Sequence, residues 1–143
     1  MRVLGVDLGS RRIGLAISDP EASFAFPLEA IASKGVRQDL EAVHALIVER
    51  DIGRVVVGLP LHMDGRVGPQ AEAARNFAAS LGESTGVPVD TLDERWTTRE
   101  AERALQEGGG SKKSRRDARK SGERDSMAAS IILRTWLERE ASR

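Results

Sequence analysis

Arg2-Val3-Leu4-Gly5-Val6-Asp7-Leu8, then Gly9-Ser10-Arg11-Arg12, then Ile13-Gly14-Leu15-Ala16-Ile17-Ser18 follow one another near the start of the chain. The two outer pieces are rich in valine, leucine and isoleucine and read as buried strands. The middle piece has the glycine and polar residues of a turn, so the whole predicts an antiparallel hairpin. One residue does not belong. Asp7 stands inside the most apolar strand, where an isolated carboxylate is costly unless it lies at a strand end, is paired, or holds a cation. Gly5 and Gly9 stand two positions away on either side, clearing that strand face for a ligand or another backbone. The plainer alternative is that Asp7 caps the turn amides of Ser10 or Arg11, and Asp-x-Gly by itself does not separate the two.

Beyond the hairpin, Phe24 to Ile31 predicts a third strand, and Pro27 assigns it to a sheet edge. The period then lengthens. Leu40, Val43, Leu46 and Ile47 recur at helical spacing and predict an amphipathic helix over 38–50. Val55-Val56-Val57 is a β-branched run suited to a strand covered on both faces, stopped by Gly58-Leu59-Pro60. A polar loop runs from Leu61 to Gly68. Pro69 then opens a helix whose apolar face is Ala71, Ala74, Phe77, Ala78 and Leu81. Val87 to Leu92 predicts another strand, and Thr97-Thr98-Arg99-Glu100 is a capping box for a third helix ending at Gly108-Gly109-Gly110. A last helix is expected over 125–140, with Ala128, Ala129, Ile132 and Trp136 on its buried face. Three antiparallel strands followed by alternating helix and strand predict an α/β fold. Its core is a mixed five-stranded sheet, three antiparallel then two parallel strands, with helices on both faces.

The chain has 143 residues, 22 basic and 22 acidic side chains, and no cysteine. That length predicts one domain over 1–143. It is too short for the two-domain clamp of an actin-like or sugar-kinase-like ATPase, and no Gly-x-x-x-x-Gly-Lys-Ser/Thr loop is present. Thiolate metal sites, disulfides and cysteine nucleophiles are excluded. No apolar run could span a bilayer or serve as a secretory core, so the expectation is a soluble, cytoplasmic protein. The neutral total hides an asymmetry. Between Ser111 and Arg124 seven basic residues face two acidic ones, a net +5 against −5 elsewhere. Residues 108–124 therefore read as a flexible basic linker suited to a polyanionic partner or simply to solvent.

Two further carboxylates join Asp7. Glu94 follows the strand ending at Leu92, where ligands gather in open helix-covered sheets, although pairing with Arg95 or Arg99 would also account for it. Asp125 precedes Ala128, Ala129, Ile132 and Trp136 by three, four, seven and eleven residues, which assigns it to the buried face in the first helical turn. The helix dipole would stabilise it there by roughly 0.3–1 kcal/mol. Ala128 and Ala129, which that role does not need, would let the helix approach the sheet and bring Asp125 toward Asp7. If the three converge, their repulsion must be relieved by a proton or by divalent cations. Oxygen-only ligands favour Mg²⁺ or Mn²⁺ over zinc. Two such ions roughly 3.5–4 Å apart would suit in-line phosphoryl displacement.

Val3-Leu4-Gly5-Val6-Asp7-Leu8-Gly9-Ser10-Arg11-Arg12-Ile13-Gly14-Leu15-Ala16, Val57-Gly58-Leu59-Pro60-Leu61, Asp93-Glu94-Arg95 and Asp125-Ser126-Met127-Ala128-Ala129 closely resemble the bacterial YqgF family, also called RuvX. The likeness covers essentially the whole chain. It implies a ribonuclease H-like fold, similar to the Holliday junction resolvase RuvC. It also implies a nuclease maturing the 5′ end of pre-16S ribosomal RNA, with junction resolution proposed for some members. The family's acidic residues fall on Asp7, Glu94 and Asp125, as catalytic and metal-holding groups. His62 stands where the family pattern leads one to expect asparagine.

The expected partner is nucleic acid: precursor ribosomal RNA, with branched or single-stranded DNA as alternatives, and ribosomal particles in the background. Arg11 and Arg12 at the hairpin turn, and Arg95 and Arg99 beside Glu94, have forked donors that fit phosphate, with surface ion pairs as the competing role. Lys112, Lys113, Arg115 and Arg116 would add salt-sensitive affinity. Phe77 and Trp136 fall on apolar helix faces, whereas Trp96 is a candidate to stack on a base. A non-catalytic RNA-binding assembly factor is the main rival. A resolvase would need a symmetric dimer, and the sequence leaves monomer and homodimer open.

Overall fold

The computed structural model describes residues 1–97 and 123–142, with side chains from Ser126 onward in the second segment. The opening hairpin is present. β1 (Arg2–Leu8) pairs antiparallel with β2 (Arg12–Ser18), which pairs antiparallel with β3 (Ala25–Ala32). Gly9 N donates to Arg12 O at 2.9 Å to close the turn. α1 (Val36–Glu49) leads to β4 (Ile52–Leu59), α2 (Pro69–Thr85) to β5 (Val89–Asp93), and α3 spans Glu123–Ala141. A 3₁₀ turn (Glu94–Trp96) follows β5 directly. The sheet order is β3-β2-β1-β4-β5, with β4 parallel to both β1 and β5. The predicted mixed sheet is therefore what the chain forms, and Pro27 does lie on an edge strand.

Side chains alternate between two cores, as the two-residue strand period requires. Leu4, Val6, Ile13, Leu15, Val55 and Val57 point to one face, under Val43 and Ile47 of α1 and Phe77 and Leu81 of α2. Val3, Ala16, Val56 and Leu92 point to the other, under Ala129, Ile132, Leu133 and Leu137 of α3. Each fully buried Leu, Ile or Val removes enough apolar surface from water to contribute roughly 1.5–3 kcal/mol. Phe77 joins the first core as predicted. Trp136 only half joins the second.

Of the expected capping box only Thr97 is described, and the third helix and most of the linker at 108–124 fall outside the described residues. Among the described residues no helix is long and apolar enough to cross a membrane.

Candidate active site at the carboxyl ends of the central strands

β1, β4 and β5 run parallel, so their carboxyl ends share one end of the sheet with the 9–12 turn. Asp7 lies there, half-buried, on the face that α3 covers. Its cross-strand partner on β2 is Gly14. On β4, Val6 pairs with Val57, so the next residue toward this end is Gly58. A Cβ at Gly58 would stand 3.1 Å from Glu94 Cδ and 2.6 Å from Ile132 Cδ1. The Glu94 carboxyl therefore lies across the clearing that Gly58 leaves, and a side chain there would displace it.

Glu94 carries the electrostatic signature of that position. Its pKa is pushed up to about 7, first by burial, then by the negative charges of Asp7 and Asp93. Two carboxylates facing each other in a half-buried clearing cannot both ionise without a counter-charge. Asp7 and Glu94 are thus near enough for their charges to repel.

α3 is brought to the same place by a close approach. A Cβ on Gly5 would lie 2.9 Å from both Ala129 O and Leu133 Cβ, so the helix rests directly on the β1 backbone. Val3 shares its core with Leu137, while Gly5 sits at Ala129 and Leu133, so helix and strand run in opposite directions. One turn further toward the helix start, positions 125–126 reach the level of Asp7. The Asp125 side chain is outside the described ones.

The buried stripe of α3 departs from the sequence expectation. Its centre is Ser126, Ala129, Leu133 and Leu137, with Ile131 and Ile132 on either side, whereas Ala128 and Trp136 are half-buried. The reason is polar. Trp136 Nε1 donates to Asp90 Oδ2 at 3.1 Å, Arg54 Nη1 meets the same oxygen at 3.0 Å, and the Arg54 guanidinium lies 5.7 Å from the Trp136 ring centre. The 128–132–136 row therefore faces β4 and β5 rather than the centre of the sheet.

These groups fit an oxygen-ligated divalent cation. The described part of the site offers Asp7 and Glu94, whose charges repel, and the buried Ser126 Oγ, which has no hydrogen-bond partner among the described residues. No complete trio of His, Cys, Asp or Glu side chains able to hold an ion occurs among the described residues, and the expected third member is Asp125.

The arginines divide. Arg11 is exposed at the turn and Arg12 is half-buried beside it. Arg95 has its fork engaged: Nε bonds both Asp93 oxygens at 3.1 and 2.9 Å, Nη2 bonds Oδ2 at 2.6 Å, and Nη1 reaches Met63 O at 3.3 Å. Its ion pair with Asp93 also holds that carboxylate below its usual range. Arg99, Lys112, Lys113, Arg115 and Arg116 fall outside the described residues. His62 is exposed in the 61–68 loop, its imidazole against Gly68 at the start of α2. Trp96 is exposed, with the Arg139 guanidinium 5.2 Å from its ring centre. The sequence reading missed Arg139, although it continues the 132–136 row by one more turn.

The family model described as RuvX, Holliday junction resolvase, matches residues 1–139. The chain belongs to the RuvX family. A relative from Anaeromyxobacter sp. (strain Fw109-5), named as a candidate pre-16S rRNA nuclease, is 45% identical over 138 residues, covering 96% of this chain and 97% of its own. One of the same name from Halothermothrix orenii is 44% identical over 137 residues, covering 96% and 94%. Among solved structures, T. thermophilus RuvC in complex with a Holliday junction substrate superposes with TM-score 0.63 at 20% identity, covering 99% of this chain and 97% of that one. The fowlpox virus resolvase with Holliday junction DNA superposes with TM-score 0.59 at 14% identity, covering 98% and 99%. The RuvX chain thus has the RuvC resolvase fold, which is the architecture its sequence predicts.

Proposed function

We propose that this RuvX-family chain is a divalent-metal-dependent nuclease that hydrolyses phosphodiester bonds in ribosomal RNA precursors, at the 5′ end of pre-16S RNA. The observation that carries the reading is the Glu94 carboxyl, lying over Gly58 at the carboxyl ends of parallel strands and raised to about 7 by burial and by the charge of Asp7. Asp7, Glu94 and Asp125 would hold Mg²⁺ or Mn²⁺, two ions in the full site. Such ions, when bound, offset the charge of a phosphate under attack and make water a better nucleophile.

The chain's own groups do the rest. With its carboxyl raised to about 7, Glu94 shares a proton with solvent near neutral pH, which eases its repulsion with Asp7, and a divalent cation held there would favour the charged form of both carboxylates. Gly58 leaves the space that the Glu94 carboxyl occupies, and Gly5 lets α3 lie directly on β1. Arg11 and Arg12 stand at the same end of the sheet, where forked donors can hold the flanking phosphates. Arg95, bound to Asp93, steadies the turn that carries Glu94 rather than meeting substrate. Lys112, Lys113, Arg115 and Arg116 add affinity that falls with salt. The family description also supports a second substrate, branched DNA, which would require a symmetric pair of sites.

The test is a cleavage assay of wild type and Asp7→Asn on precursor ribosomal RNA, single-stranded DNA and a four-way junction, each with Mg²⁺, Mn²⁺ or chelator. Metal-dependent scission of the RNA that is lost in Asp7→Asn is the expected result. Undiminished turnover by Asp7→Asn would remove the assignment. Salt-sensitive binding without any scission would make the chain a binding factor instead.

A further inference from the structure

We propose that Trp96, backed by Arg139, is a stacking platform for an unpaired base next to the phosphate held at Asp7 and Glu94. This rests on the nucleic-acid reading of that site and adds how it recognises a single strand. Five aromatic side chains occur in the chain. Phe77 is buried, Trp136 is tied to Asp90, and Phe24 and Phe26 are exposed on or beside β3, at the far edge of the sheet. Trp96 alone is both exposed, at 64%, and close to the carboxylate pair.

Its placement is fixed by short-range structure. Trp96 ends the 3₁₀ turn that Glu94 begins, and two residues of 3₁₀ helix advance only about 4 Å. Trp96 therefore follows Glu94 by about 4 Å of backbone, within reach of a nucleotide that neighbours a phosphate at Glu94. The turn is held at both ends. Asp93 accepts from Arg95 N at 2.9 Å, and Thr97 N and Oγ1 both donate to Glu94 O, at 3.0 and 2.9 Å.

Arg139 argues for nucleic acid as the occupant. It comes from the last turn of α3 and lies over the ring at 5.2 Å, so one face carries a cation while much of the ring remains open. A stacked base meets the open part, and the guanidinium adds attraction for the adjoining phosphate. Arg139 also lines a groove of about 490 Å³ between β5 and α3, formed by Val89 to Leu92 with Trp136 and Glu140. That groove offers the strand a path away from the ring. Only an unpaired base exposes a face for this contact, so the platform selects single-stranded segments.

The test is binding of fluorescently labelled 12-nucleotide oligouridylate and oligothymidylate to the full chain in chelator, where nothing is cut. Trp96→Ala should weaken binding about tenfold or more, with the slope of affinity against salt unchanged, because stacking releases no counterions. Trp96→Phe should retain most of the affinity. Intrinsic tryptophan emission should be quenched on binding by wild type and not by Trp96→Phe. Equal affinity of Trp96→Ala and wild type, no single-strand binding by wild type, or quenching that survives in Trp96→Phe would each overturn the platform. If those results come with metal-dependent cleavage by wild type, the nuclease reading still stands. Binding and quenching as described, without cleavage under any metal, would leave the platform and remove the nuclease.

Discussion

Glu94 is where sequence position, geometry and electrostatics coincide. Its carboxyl is raised to about 7 by burial and by Asp7, so between its ordinary value of 4.5 and about 7 the folded chain binds a proton that the unfolded chain releases. Stability without metal therefore falls as pH rises through that window and is level above it. The loss is on the order of 1–3 kcal/mol. Urea unfolding at pH 5 and pH 8 in chelator should show it, and Glu94→Gln should be nearly flat over the same range. A wild type as stable at pH 8 as at pH 5 would mean that the two carboxylates do not share the clearing. This much was legible beforehand, because a carboxylate inside an apolar strand and another just past a strand end are costly in any fold. The commitment of Arg95 to Asp93 was not. Residues two apart face one another only through the 3₁₀ turn, and composition does not announce that turn.

At the scale of the elements, the site depends on α3 lying against β1 with no side chain between them. Gly5 makes that possible, since a Cβ there would press on Ala129 O and Leu133 Cβ at 2.9 Å. Gly5→Ala should destabilise the fold by about 1–3 kcal/mol, because a backbone oxygen cannot rotate away as a side-chain tip can. Thermal melting checks it, and a melting point equal to wild type would mean the helix has slack. The same helix carries an opposite prediction. Ser126 is 3% exposed, and its hydroxyl has no partner among the described residues. Ser126→Ala should therefore stabilise the metal-free chain by about 1 kcal/mol, by removing a buried group that bonds nothing. A loss of stability would show that the hydroxyl is satisfied in solution. The helix itself was plain from its period, yet its buried stripe was assigned one row off. Trp136 reads as core by hydropathy, and only the fold supplies the Asp90 and Arg54 that draw it to the flank.

For the whole molecule, the mixed sheet of three antiparallel then two parallel strands was readable because each crossover has its own helix and the opening hairpin has its own turn. The sequence offered the approach of residues 7 and 94 only as a conditional cost, a repulsion that a proton or a cation would have to relieve, since no local rule brings distant segments together. That cost gives the protein a thermodynamic handle independent of any substrate. Asp7 sits on the central strand, Glu94 after an edge strand, and the helix bearing position 125 arrives last in the chain, so a cation gripping all three would tie separate parts of the fold together. A ligand that binds only the folded form at one hundred times its dissociation constant adds about 2.7 kcal/mol. Mn²⁺ should therefore raise the wild-type melting temperature in proportion to the logarithm of its concentration, with Mg²⁺ acting likewise at higher concentration. Asp7→Asn should reverse both halves of this behaviour. Without metal it should melt above wild type at pH 8, because Glu94 no longer faces a charge, and Mn²⁺ should no longer shift it. If Mn²⁺ raises both proteins equally, the ion is held elsewhere, and the carboxylate pair has some purpose other than gripping it.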